Sequence, residues 1–291
     1  MAVNNSLQKK KKQPPLLTYL SSDAVKMKIN EVIGGKDGQR FISAIISATT
    51  NNTALQECSN ASILSGALLG ESLKLSPSPQ LGQYYLVPYN DRKQGKVAQF
   101  QLGYKGYIQL AIRSGQYKKL NVLGIKEGEL IRFDPLNEEI EVNLIEDDAE
   151  REAAKTIGYY AMFEYTNGFR KAIYWSKAKM EAHALKYSQG YKKDKDEGWS
   201  YSYWTKDFDG MAYKTMLRQL ISKWGVMSID MQQAINADMG VIQDDGSVDY
   251  VDNKPVEENT FVEADAEVIE DSEAAGKNEN TNAVQTALFG A

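Results

Sequence analysis

Residues 81–115 read LGQYYLVPYNDRKQGKVAQFQLGYKGYIQLAIRSG, and the pattern of apolar residues changes period inside them. Aromatic and β-branched residues run from Gln83 to Tyr89 and again from Val97 to Leu102, with a polar turn over 90–96 between. That arrangement predicts a β-hairpin with Arg92 and Lys93 at its tip. After Gly103 a helical period takes over from Tyr104 to Arg113, and Ser114-Gly115 stops it. Extended to Lys119, the stretch holds seven basic residues (Arg92, Lys93, Lys96, Lys105, Arg113, Lys118, Lys119) against one acid, Asp91. Six tyrosines are threaded through them: Tyr84, Tyr85, Tyr89, Tyr104, Tyr107 and Tyr117. Cations neutralise phosphates and tyrosine packs on sugars and bases, so the mixture suits a nucleic-acid surface. A solvated strand and helix with core tyrosines is the plainer alternative.

Upstream, helix-like spacing covers 22–33 (Val25, Ile29, Ile33) and 39–49 (Phe41, Ile42, Ile45, Ile46). The intervening Gly34-Gly35-Lys36-Asp37-Gly38 lacks the spacing and the Ser or Thr of a phosphate-binding P-loop, so it does not suggest ATP. Ser59 or Asn60 is placed to cap a further helix through Leu73, in which Gly66 and Gly70 allow a neighbour to pack closely. Downstream, strand signals fall at 119–126, 130–133, 140–145, 157–165 and 169–175, the last two joined by an Asn167-Gly168 turn. Ser176 caps an expected helix to Tyr187, residues 190–203 read as a polar, aromatic-rich loop, and 207–224 is strongly amphipathic. On this last helix Tyr213, Met216, Leu217, Leu220, Ile221 and Trp224 share a face. Lys214 and Arg218 lie together at one rim of it, and Lys223 points from the other side. With the apolar face docked on a sheet, Lys214 and Arg218 would line a groove; taken alone they would be an exposed basic pair.

The 291 residues carry a net charge of −5, which hides a division. From Ala237 to Ala291 fourteen acids face Lys254 and Lys277, a net of −12, while the rest has 32 basic and 25 acidic residues, a net of +7. A basic body joined to an acidic tail is a common layout for electrostatic binding of nucleic acid. The expected organisation is a flexible basic arm over 1–17, a core over 18–238, and an acidic disordered tail over 239–291. The arm, with Lys9 to Lys12, either touches phosphate or solubilises the chain. Cys58 and His183 stand alone of their kinds, which excludes an internal disulfide and a cysteine zinc site. No apolar run approaches the ~18 residues of a membrane span, and the basic start is not followed by an apolar signal segment. No metal or cofactor is expected. Carboxylates gather at Glu127, Glu129 and Asp134, in turns where acids are usually solvated. Asp207 and Asp209 sit about 200° apart on a helix and cannot share a metal unless the helix begins after them. A nuclease is therefore disfavoured and no enzyme is expected.

The assembled segments resemble the RecT family of phage recombinases, in the RecT/Redβ group. The first signature lies in residues 81–89, 99–107 and 110–115. The second lies in Trp204 with 207–215 and 220–225. The likeness runs from about Thr18 to Gly225 with the motifs in order. It implies an α+β fold, a small antiparallel sheet with helices packed around it. It also implies a protein that binds single-stranded DNA and anneals it to its complement without ATP, in homologous recombination and repair. Family members form rings or helical filaments, work beside a 5′→3′ exonuclease of the RecE kind, and act in the host bacterial cytoplasm. Lys105, Arg113, Lys214 and Arg218 stand inside the motifs and are carried over as DNA contacts. Arg92, Lys93, Lys118 and Lys119 join them from charge and position, and Tyr107 and Lys223 complete the expected set.

Annealing constrains such a surface. Cations that neutralise phosphates release counterions, and affinity falls about 0.7 log units per log unit of salt for each contact on a single strand. Stacking every base on aromatic rings would gain ~1–3 kcal/mol per base and hold the strand away from its complement. Contacts are therefore expected mainly on the backbone, with most of the tyrosines in the core or the groove wall and about two touching sugar or base. Base pairing supplies about 1.4 kcal/mol per step, so hydrolysis is not required. A passive single-strand binding protein is the main rival. Gly103-Tyr104-Lys105-Gly106 also fits the GXXG pattern of KH domains, in the wrong surroundings. The amino-terminal helices, with Gly66 and Gly70 at close contacts, are the expected oligomer interface. The tail either competes with DNA, docks the exonuclease or the host single-strand binding protein through 284–289, or merely solubilises.

Overall fold

The computed structural model describes residues 13–34, 37–50, 52–91 and 94–249. Lys9 to Lys12, the hairpin-tip Arg92 and Lys93, and the tail from Tyr250 onward lie outside the described residues. Three helices lead the chain: α1 (Leu16–Leu20), α2 (Asp23–Ile33) and α3 (Gly38–Thr50). Their apolar stripes, Val25 and Ile29 on α2 and Phe41 and Ile45 on α3, bury against α4 (Asn60–Ser72). The Ser59 hydroxyl accepts from Ser62 N and caps α4. With apolar or small residues on every side, α4 is buried all round from Ser62 to Gly70.

Strands β1 (Tyr84–Asp91) and β2 (Gly95–Leu102) form the expected hairpin in a continuous antiparallel register, from Tyr84 opposite Leu102 to Asp91 opposite Gly95. They close on α4. A Cβ at Gly70 would lie 2.3 Å from the ring of Tyr84, and one at Gly66 would lie 2.8 Å from Leu86. The expectation that these glycines serve contacts between subunits is thereby corrected: the chain's own β1 fills the space they leave. Helix α5 (Tyr104–Arg113) follows at once.

A second sheet takes β3 (Tyr117–Lys126), β6 (Thr156–Tyr165) and β7 (Arg170–Ser176) in the order β3-β6-β7, all antiparallel. Between β3 and β6 the chain makes the hairpin β4 (Leu130–Asp134) and β5 (Glu139–Val142), then the short helix α6 (Asp148–Ala153) capped by Asp147. Alternation splits the sheet into two faces. Tyr159, Ala161, Phe163 and Tyr165 point one way, towards the helices, while Tyr160 and Ala172 pack with residues of the β4–β5 hairpin.

Helix α7 (Lys177–Tyr187) is capped by Ser176, as its sequence predicts. The expected loop over 190–203 is largely helical instead: α8 (Gln189–Glu197) and α9 (Tyr203–Lys206). Two polar signals account for this. Ser188 accepts from Tyr191 N to start α8, and Gly198 ends it with φ +71°. Helix α10 (Phe208–Trp224) then runs between the two halves of the core. Leu217 and Ile221 enter the cluster around α4, whereas Ala212, Met216 and Leu220 enter the cluster against the β3-β6-β7 sheet. Helix α11 (Ile229–Ala237) and the short pair β8 (Val241–Ile242) and β9 (Val248–Asp249) complete the described chain. Buried Val241 and Ile242 carry packed structure past Asp238, where the core was expected to end. The fold is α+β, with small antiparallel sheets and helices about them.

Candidate nucleic-acid interface

Two segments far apart in sequence meet beside the start of α10. One is the turn from β2 into α5; the other is α9 with the first turn of α10. Between them lies a cleft of about 210 Å³, walled by Tyr85, Tyr104 and Tyr203, with Gln101, Lys206, Asp207 and Lys214 also lining it. The ring centroids of Tyr85 and Tyr203 are 6.3 Å apart, a tilted pair on its wall. Burial raises the phenol pKa of Tyr85, as do nearby Tyr203 and Asp207, and burial likewise raises that of Tyr203. Both therefore stay neutral and add no charge that would repel a phosphate.

Backbone packing explains how this wall forms. A Cβ at Gly103 would stand 2.1 Å from Gly82 O, and one at Gly106 would stand 2.2 Å from Gln83 O. Gly103-Tyr104-Lys105-Gly106 is thus a packing device that seats α5 on the turn that leads into β1. Exposed Lys105 lies along Gly82 and reaches to 6.0 Å from the Tyr104 ring centroid. Exposed Lys206 sits 5.9 Å from the Tyr203 ring centroid on the opposite side. Asp207 caps α10, accepting from Gly210 N at 2.9 Å.

Beneath the cleft is a buried charge cluster. Lys214 donates to Asp238 Oδ1 at 2.8 Å and Arg218 to Oδ2 at 3.0 Å, while Leu102 N donates to Oδ1 at 2.9 Å. The Asp238 side chain is fully buried, Lys214 is 8% exposed at its side chain and Arg218 is 34% exposed. Burial pulls the Lys214 ammonium below its ordinary pKa, and Asp238 opposes that pull. Tyr107, at 0% exposure, lies in the core around α4, beside Asp238 and Arg218, and burial pushes its phenol far up.

The expected site residues are therefore dispersed. Lys214 lines the cleft, and Lys105 stands just outside the lining, beside Tyr104 and Gly82. Arg218 lies one turn beyond Lys214 on the shared carboxylate. Tyr107 is core, closed to a strand in this conformation. Arg113 donates to Leu73 O at 2.7 Å and Lys74 O at 3.3 Å, capping the end of α4. Lys118 and Lys119 both pair with Glu164, at 2.5 and 3.7 Å. Lys223 is exposed near the end of α10. Sequence reasoning missed Tyr203, Lys206 and Asp238. The Trp204 and Asp207 motif flanks the first two, but Asp238 carries no signal because its partners come from two other elements, β2 and α10.

The residues of the rival readings have other employment. Cys58 is buried against Val97 O, and its thiol is pushed up to about 11 by burial; His183 packs between Trp175 and Tyr187. Asp209 accepts from Tyr159 at 2.6 Å, turned away from the capping Asp207. Glu129 is sequestered by Arg151, and Asp134 accepts from Leu136 N in its turn.

The family model of the RecT family matches residues 39–256. The uncharacterized protein YqaK of Bacillus subtilis (strain 168) is 40% identical over 285 residues, covering 96% of this chain and 89% of that protein. Protein RecT of Escherichia coli (strain K12) is 28% identical over 204 residues, covering 69% of this chain and 71% of that protein.

Proposed function

The chain belongs to the RecT family, a family of DNA-binding proteins of recombination and single-strand annealing, and from that premise we propose how it works. It coats single-stranded DNA through an electrostatic surface around the cleft, leaves most Watson–Crick edges free, and lets a complementary strand pair without ATP. The observation that carries this reading is the meeting of the two family signatures, residues 81–115 and 204–225, at one cleft lined by Lys206 and Lys214, with Lys105 beside its Tyr104 wall. Phosphate contacts carry no sequence information, which suits a protein that must accept any strand. Each such contact is screened, so binding at physiological salt gains from repetition of the surface in an oligomer. A RecE-like exonuclease would supply the single strand, and the acidic tail is available to dock it or the host single-strand binding protein.

The test is fluorescence-quenched pairing of complementary oligonucleotides, with no ATP, at two salt concentrations. Pairing accelerated by the protein and slowed again by salt is the expected result. Binding without acceleration would make the protein a passive strand coat, and absence of binding would remove the DNA role altogether.

A further inference from the structure

The cleft between α5 and α9 is shaped for something other than a sugar–phosphate chain. Its volume, about 210 Å³, is below the few hundred Å³ typical of sites for drug-sized molecules and matches a single ring system. Its walls are three phenol rings with Leu102 and Met211, and its polar groups, Gln101, Lys206, Asp207 and Lys214, offer donors and acceptors together. A backbone track needs none of the aromatic enclosure. An apolar side chain would need none of the polar groups. Lys206 lines the cleft beside Tyr203, and Lys105 stands just outside the lining beside Tyr104, where the phosphates flanking one inserted residue would pass.

We propose that the cleft takes one base of the bound strand, turned out of the stack and held among Tyr85, Tyr104 and Tyr203. This rests on the reading of the protein as a single-strand binder and adds a specific subsite to it. One cleft per subunit holds one base, so the neighbouring bases stay outside with their pairing edges free. Mixed donors and acceptors favour no one base, consistent with a strand of any sequence. The held base would fix the strand's register on the subunit without the cost to annealing that stacking every base would impose.

The experiment compares two oligonucleotides of equal length and phosphate count, one with thymine bases and one fully abasic, by fluorescence anisotropy on the full chain. The wild-type protein is expected to bind the base-bearing strand about tenfold more tightly or better, within the range of base–aromatic stacking. Tyr203→Ala and Tyr85→Ala should each erase most of that preference, read as the ratio of the two affinities in each variant, with an unchanged thermal melt reporting that the variants are folded. Tyr203 is 41% exposed, so its truncation removes little core. Equal wild-type affinity for both strands would overturn the subsite, leave single-strand binding intact, and return the cleft to a protein side chain such as one from a second copy. A preference undiminished in both variants would overturn it too, by placing the base elsewhere. Failure of the wild type to bind either strand would overturn both the subsite and the single-strand reading beneath it.

Discussion

Asp238 accepts from three donors on two elements: Leu102 N at the end of β2, and Lys214 and Arg218 on α10. Removing one partner of a buried ion pair leaves an uncompensated charge, which costs about 3–5 kcal/mol. Asp238→Ala strands two cations and a backbone N–H, so urea unfolding should show a loss of that size. Lys214→Met should cost less, because Asp238 keeps Arg218 and Leu102 N; equal losses would contradict the central role of the carboxylate. Glu129 is a second such residue. Burial works to raise its pKa, but hydrogen bonds from Arg151 and from the backbone N–H of Lys126 and Ile145 outweigh it and hold the carboxyl below its ordinary range. A depressed folded-state pKa means stability that is present above the unfolded value of about 4.3 and is lost as pH falls towards the folded one. Glu129→Gln should flatten the decline of the urea midpoint below that pH. An unchanged decline would show that other groups govern acid unfolding.

At the scale of elements, α8 and α9 are joined through one side chain. Asp194, 4% exposed, accepts from Tyr201 N at 3.1 Å, Ser202 N at 2.7 Å and Thr205 Oγ1 at 2.6 Å. Burial acts to raise its pKa, yet these donors hold it far below the carboxylate range. The same bonds fix the 198–203 turn and set Tyr203 on the cleft. Asp194→Ala should release this turn, so that limited proteolysis cuts within 198–203 and DNA affinity drops together with it. A variant as resistant and as tight-binding as the parent would dissociate the turn from the site. Helix α10 treats its two basic residues differently. Its apolar stripe predicts one buried face with Lys214 and Arg218 on the rim; packing on two sides buries Lys214, Arg218 stays 34% exposed, and both donate to Asp238.

For the whole molecule, residues 1–236 carry a net charge of +7 and residues 237–291 a net charge of −12. Lys105→Ala and Lys206→Ala should each reduce the slope of log affinity against log salt by about 0.7, the share of one phosphate contact on a single strand. Affinity would fall for all sequences alike, and unchanged slopes in both would move the phosphate track away from the cleft. Much of the architecture was legible beforehand. The hairpin, α5, α7 and α10 follow from period and caps that act within a few residues, so local sequence suffices for them. Helix α8 was not legible, because its polar composition imitates a loop and only buried Tyr191 and Asp194 give it a core-facing side.

The sequence by itself determined the family, the α+β class, the division of charge and the two signatures that flank the cleft, because each rests on residue identity and short-range spacing. Only the tertiary structure decided which cations remain available. Lys105 and Lys206 stay exposed beside the cleft, while Lys214 is neutralised from a loop two dozen residues away and Arg113 closes the end of a helix forty residues back. Whether a charge faces solvent or a buried partner depends on which elements pack together, and no local pattern encodes that.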